Sequence, residues 1–292
     1  MSAPAARLGD LAARGNRLPV SEFACDNAPV TEPQEHALTG GNVSAGVVRV
    51  GDTVRKPAGP HTAAVEAFLS YLNTAGFAGA PETLGRDELG RHVLQYVPGA
   101  IAHGLPPMDL DGLHRVGRLI RELHDLSEGF RPPRDARWDV VIQPDRADLI
   151  CHNDLASWNL VCASDRWVFI DWDGAAPGSR LWELAWSVTS FVPLDPGGDP
   201  DKDAPRVQAL ADGYGLTSQQ RRELPHLIGP HSRAMFELLR TSSATGQQPW
   251  ARLYAEGHGD YWGPVADYAD RHIGTWARAL GSRYPVTRAD RP

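Results

Sequence analysis

The segment from Ile150 to Asp173, ICHNDLASWNLVCASDRWVFIDWD, limits what the chain can fold into more than any other stretch. Two apolar runs, Leu160 to Ala163 and Trp167 to Ile170, flank Ser164-Asp165-Arg166, a pattern that reads as a short β-hairpin. With three residues in the turn, Asn159 faces Asp171 at the open end of the pair. A carboxamide and a carboxylate placed together are hard oxygen donors of the kind that hold magnesium beside a nucleotide. Asp154 stands on the loop that enters the hairpin, where its carboxylate can take the proton of a substrate hydroxyl. Asp154 or Asn159 alone reads more readily as a turn former, whereas Asp171 could cap the next helix but, following four apolar strand residues, reads better as a metal ligand. The convergence of all three points to chemistry.

The rest of the chain divides in two. From Glu35 to Pro57, short runs of β-formers alternate with turn signals, and Gly51-Asp52 marks a hairpin. A helix follows over His61 to Leu72, with Val65, Phe68, Leu69 and Leu72 on one side, then a strand over His92 to Gly99. Beyond Gly104 the pattern is mainly helical, beginning with Leu113, Val116, Ile120 and Leu123 and broken by a Pro- and Asp-rich loop from Pro193 to Pro205. The expectation is an α+β chain with a small β-rich lobe over 1–98, led by a loosely held arm of about 30 residues, and a larger helical lobe over 99–292. At 292 residues the chain is long enough for both to bury cores.

Composition excludes several partners. A net charge of −7 without a basic run disfavours nucleic acid, and no apolar stretch reaches the length of a membrane span. Cys25, Cys151 and Cys162 are odd in number and scattered, which together with an N-terminus lacking a secretory apolar core predicts a cytoplasmic setting. Among 29 basic residues only Lys56 and Lys202 are lysines, so a lysine retained under that bias suits a task needing a compact point charge.

His152-x-Asp154-x4-Asn159, followed by Ile170-Asp171 and IDWDGAAPGSRLWELAW, resembles the catalytic loop and metal segment of aminoglycoside phosphotransferases, a small-molecule branch of the protein-kinase-like superfamily. The likeness runs from about Gly40 to Ala185, with Glu183 standing where many relatives have Asp. It implies a two-lobe kinase-like fold, ATP as co-substrate and Mg2+ as cofactor. Asp154 is then the catalytic base, and Asn159 and Asp171 are the metal ligands. Lys56, sharing a strand face with Val54, becomes the phosphate-binding lysine, with Glu66 on the following helix as its ion-pair partner. Gly41, Asn42 and Ser44 would lie in the phosphate-covering loop, and Gln95 and Val97 in the connector that reads adenine. Asn153 in place of the arginine of many protein kinases, with little chain between Asp171 and the next helix, implies an enzyme with no phosphorylation switch.

The acceptor is less defined. Asp195, Asp199, Asp201 and Asp203 crowd a loop that a cationic acceptor group would relieve, although solvated surface is the ordinary reading of such a run. A small-molecule hydroxyl, a peptide hydroxyl and a non-catalytic nucleotide-binding immunity module all remain open, and nothing indicates an oligomeric state. His152 reads as a packed histidine shaping the catalytic loop, His124 as a core-edge residue. The tryptophans, Trp182, Trp186, Trp250 and Trp262 among them, read as core or as the wall of an aromatic cleft.

Overall fold

The computed structural model describes residues 34–38 and 46–281. The N-terminal arm and the loop containing Gly41, Asn42 and Ser44 lie outside them. The described residues from Glu35 onward form one compact unit by their contacts.

Strands β1 (Glu35–Ala37), β2 (Val48–Val50) and β3 (Thr53–Lys56) come first, then helix α1 (Thr62–Thr74), β4 (Thr83–Arg86) and β5 (His92–Gln95). They build an antiparallel sheet in the order β1-β2-β3-β5-β4. Gly51 and Asp52 form the two-residue turn between β2 and β3, with Gly51 at φ 58°, a value that glycine adopts without steric cost. β4 was not foreseen; Gly85 sits in it at φ 82° and its register shifts, which masks the alternation of a regular strand.

The remainder holds β6 (Ala100–Ile101), α2 (Leu110–Ser127), β7 (Leu149–Cys151), β8 (Leu160–Cys162), β9 (Trp167–Phe169), β10 (Ala176–Gly178), α3 (Arg180–Phe191) and α4 (Pro200–Tyr214). Helices α5 (Ser218–Glu223), α6 (Pro225–Thr245), α7 (Trp250–Ala255), α8 (His258–Arg271) and α9 (Ile273–Ala279) complete it. A small antiparallel-sheet lobe and a mostly helical lobe are therefore both present. None of the described helices is long and apolar enough to cross a membrane.

One buried cluster joins the two parts. Val65, Phe68, Leu69 and Leu72 from α1 pack in the same core as Leu113, Ile120 and Leu123 of α2, Leu160 of β8, Phe169 of β9 and Trp172. In the helical lobe α2 and α4 cross closely at Gly117 and Gly213. A methyl on Gly117 would meet the Leu210 carbonyl oxygen at 2.1 Å, and one on Gly213 the His114 carbonyl oxygen at 2.0 Å. Only glycine lets the two backbones approach so nearly.

Two expectations are corrected. The β8–β9 turn contains two residues, Ser164 and Asp165, because Ala163 N–H donates to Arg166 O and Leu160 pairs with Phe169. The register moves by one, so Asn159 faces Ile170 and not Asp171, with Ile170 N–H donating to Asn159 O at 2.8 Å. The acidic loop is also shorter than expected. Pro200 starts α4, with Asp199 as its N-cap accepting from Asp201 N–H, so a proline that reads as loop is the first helical residue.

Candidate active site

The loop between β7 and β8 is held by buried polar contacts at both ends. β7 pairs with β10 and brings His152 into the core, fully buried against Trp172 at 4.5 Å between ring centroids. His152 Nε2–H donates to Ile170 O at 3.1 Å, and Nδ1 accepts from Asp154 N–H at 3.2 Å. This pairing requires a neutral ring, and burial, the largest cause, lowers its pKa in the same direction. His152 thus shapes the loop as the sequence suggests.

Asn153 adopts φ 62°, a left-handed conformation, and three bonds support it. Its N–H donates to Glu183 Oε1, and its Nδ2 donates to Gly174 O at 3.1 Å and Ala176 O at 3.3 Å. Glu183, in the first turn of α3, is buried, and His124 Nε2 donates to its other oxygen at 2.6 Å. Tyr214 OH bonds His124 Nδ1 at 2.8 Å and accepts from Arg180 Nη1 at 3.2 Å. His124 is therefore a fully buried member of the network that anchors the β7–β8 loop, not a core-edge residue. Glu183 stands out in the motif, but nothing in the sequence pairs it with His124 on α2.

That anchored loop presents Asp154. Asn159 Nδ2 donates to Asp154 O at 3.0 Å and to Oδ2 at 2.7 Å, and Trp186 Nε1–H donates to Oδ1 at 3.1 Å. Trp158, which the sequence did not single out, lies near enough to work against the rise of this carboxylate's pKa. Burial foremost, and then the nearby Asp171 charge, push the Asp154 pKa up to about 6.

Asp171 follows β9 at φ 63°, which turns the chain and brings its carboxylate back to the sheet lobe. Lys56 Nζ meets Asp171 Oδ1 at 2.5 Å and Asp173 Oδ2 at 2.8 Å, and the lysine is only 6% exposed. Burial works to lower the Lys56 pKa, but Asp171 and Asp173 outweigh it and hold the ammonium above its ordinary value. The expected Lys56–Glu66 pair is absent. Glu66 instead accepts from Arg86 at 2.9 and 3.2 Å, a two-point bond that a guanidinium makes and an ammonium cannot, while the two aspartates outcompete Glu66 for Lys56.

The other expected site residues make contacts of their own. Gln95 Oε1 accepts from Arg166 at 3.1 Å, and Val97 is buried with Val161 and Val168, with Ile170 against them. Asp195 accepts from Gly197 N–H, Asp199 caps α4, Asp201 lies in its first turn, and Asp203 accepts from Tyr268 OH at 3.0 Å. The structure thus gathers Lys56, Asp154, Asn159 and Asp171, and gives Glu66 and three of the four aspartates other partners.

Residues 135–224 match the phosphotransferase enzyme family, a span that includes the β7–β8 loop, the β8–β9 hairpin and α3. Over 201 residues the chain is 33% identical to the trifolitoxin immunity protein of Rhizobium leguminosarum bv. trifolii, covering 64% of this chain and 76% of that protein. Among solved structures it is similar to the microcompartment-associated aminopropanol kinase, with TM-score 0.58, 17% identity, and 85% and 94% of the two chains covered. It is also similar to amicoumacin kinase in complex with AMP-PNP, Ca2+ and Ami, with TM-score 0.59, 11% identity, and 82% and 88% covered.

Proposed function

The chain belongs to the phosphotransferase enzyme family, and on that footing we propose that it transfers the γ-phosphoryl group of ATP to a hydroxyl of a small molecule. The observation that carries this reading is the convergence of Lys56 from the sheet lobe with Asp154, Asn159 and Asp171 from the helical lobe. Lys56, once released from Asp171 and Asp173, is a charge for the triphosphate. Asp154 accepts the hydroxyl proton as the acceptor oxygen bonds to phosphorus and the bridge to the β-phosphate breaks, leaving ADP.

The donor set suits a divalent cation. Asn159 spends its Nδ2 on Asp154, which leaves Oδ1 as an oxygen ligand, and the Asp171 carboxylate is balanced in this structure by another cation, Lys56. Held by these two residues, magnesium would neutralise charge on the phosphate oxygens. The AMP-PNP and Ca2+ in the amicoumacin kinase structure support nucleotide and divalent-metal use. Glu66 remains a proposed partner for Lys56 when nucleotide is bound, and Gln95 and Val97 remain the proposed adenine connector. ATP use goes with a cytoplasmic setting.

The name of the curated relative favours a toxin or antibiotic as acceptor, disarmed by phosphorylation. The protein with magnesium and ATP is to be incubated with hydroxylated toxins, antibiotics, amino alcohols and peptides, and the acceptors examined by mass spectrometry. One acceptor should gain a phosphoryl group. Asp154→Ala should lower that turnover about 10²-fold or more with nucleotide affinity intact, since the base touches the acceptor and not the triphosphate. Near-normal transfer by the variant would remove Asp154 from the mechanism. No turnover of ATP by the wild type with any acceptor, alongside tight toxin binding, would replace catalysis with sequestration.

A further inference from the structure

Asp154 is gripped on both carboxylate oxygens, Oδ2 by Asn159 and Oδ1 by Trp186. The two tryptophans around it differ: Trp158 is 36% exposed, while Trp186 is 2% exposed. The Trp186 ring is wedged against Trp262 at 4.8 Å, His231 at 5.2 Å and Trp158 at 5.8 Å between centroids. A large ring so enclosed keeps one rotamer, which fixes the direction of its N–H. Trp186 also lies three residues after Glu183 on α3, so both project from one side of the helix. Glu183 holds the backbone of the catalytic loop through Asn153, and Trp186 holds the side chain of the residue that follows.

We propose that Trp186 is a positioning residue for Asp154, stopping rotation of its carboxylate so that the remaining lone pairs meet the acceptor hydroxyl. The proposal rests on Asp154 being the base. A carboxylate free to turn offers its lone pairs over a wide arc, and a misdirected base loses much of the advantage of proximity. Two fixed donors on opposite oxygens remove that freedom, and both are supplied by structure that moves only if α3 or the hairpin moves. Trp186 does this from outside the loop motif, through packing of α3 on α6 and α8.

The test uses the full chain labelled with indole-15N tryptophan. An indole N–H bonded to a carboxylate resonates downfield, so one such signal should vanish in Trp186→Phe and move upfield in Asp154→Asn. Trp186→Phe keeps most of the ring packing and deletes only the donor. Its basal hydrolysis of magnesium ATP, with water in the acceptor's place, should fall about tenfold in kcat, the scale of one hydrogen bond to a charged group. Binding of magnesium AMP-PNP should be unchanged. A Trp186 signal indifferent to Asp154→Asn, or wild-type kcat in Trp186→Phe, overturns the proposal. Absence of ATP turnover in the wild type would instead strike the proposed function, and the indole signal would still decide whether the bond to Asp154 exists.

Discussion

Asp154 illustrates how burial and neighbours tune a single group. Its carboxylate is half-buried beside Asp171, and both effects disfavour the charged form. As the proposed base, Asp154 would work only when ionised, so the proposed phosphoryl transfer should decline as the pH drops through about 6 and level off above it. Carboxyl NMR of the nucleotide-free protein should place the Asp154 midpoint near that value, and Asp171→Asn should lower it by removing a like charge. A midpoint unmoved in Asp171→Asn would mean that the two carboxylates do not sense each other. Lys56 shows the opposite balance, since its burial is outweighed by two carboxylates that keep it charged.

Helix α3 joins the fold to the site. Its N-cap Ser179 accepts from Trp182 N–H, its first turn carries Glu183, and the next turn carries Trp186. Glu183→Ala would strand the Asn153 N–H and the His124 Nε2–H in a buried place, each without an acceptor. Leaving buried donors unpaired should cost about 3 kcal/mol of stability, readable as a lower denaturant midpoint. A stability loss of only a few tenths would show that the network is not what holds the loop. Helix α4 presents the converse case, a charge run explained by local structure. Asp199→Ala removes an N-cap and should cost about 1 kcal/mol, while the acceptor Michaelis constant stays unchanged. A raised acceptor constant without loss of stability would give Asp199 a role at the acceptor site.

Across the whole molecule, the sheet lobe and the helical lobe share their apolar interior. Phe68 of α1 packs on Trp172 at 5.9 Å and Phe130 at 5.0 Å, and the same buried cluster continues to Trp276 in α9. Parts with a common core lose it together, so far-UV and near-UV circular dichroism should report one coincident unfolding transition. Two separated transitions would mean that the cluster is divided energetically even though it is continuous in space. Lys56 adds a polar link between the lobes through Asp171 and Asp173.

The proximity of Asp154, Asn159 and Asp171 was legible in the sequence because their spacing is local: they lie on one short loop-and-hairpin segment. The two-lobe arrangement was legible from the change of hydrophobic period along the chain. The hairpin register was not, because Ser-Asp lacks the glycine that marks a two-residue turn and one more residue in the turn shifts every pairing. The partners of Lys56, Glu66, Glu183 and Asp154 were also hidden. Each bond is formed between segments 20 to 115 positions apart: Glu66 with Arg86, Asp154 with Trp186, Glu183 with His124, and Lys56 with Asp171. Which carboxylate meets which cation or donor is settled by competition within the packed interior, and a linear pattern of residue types does not record its outcome.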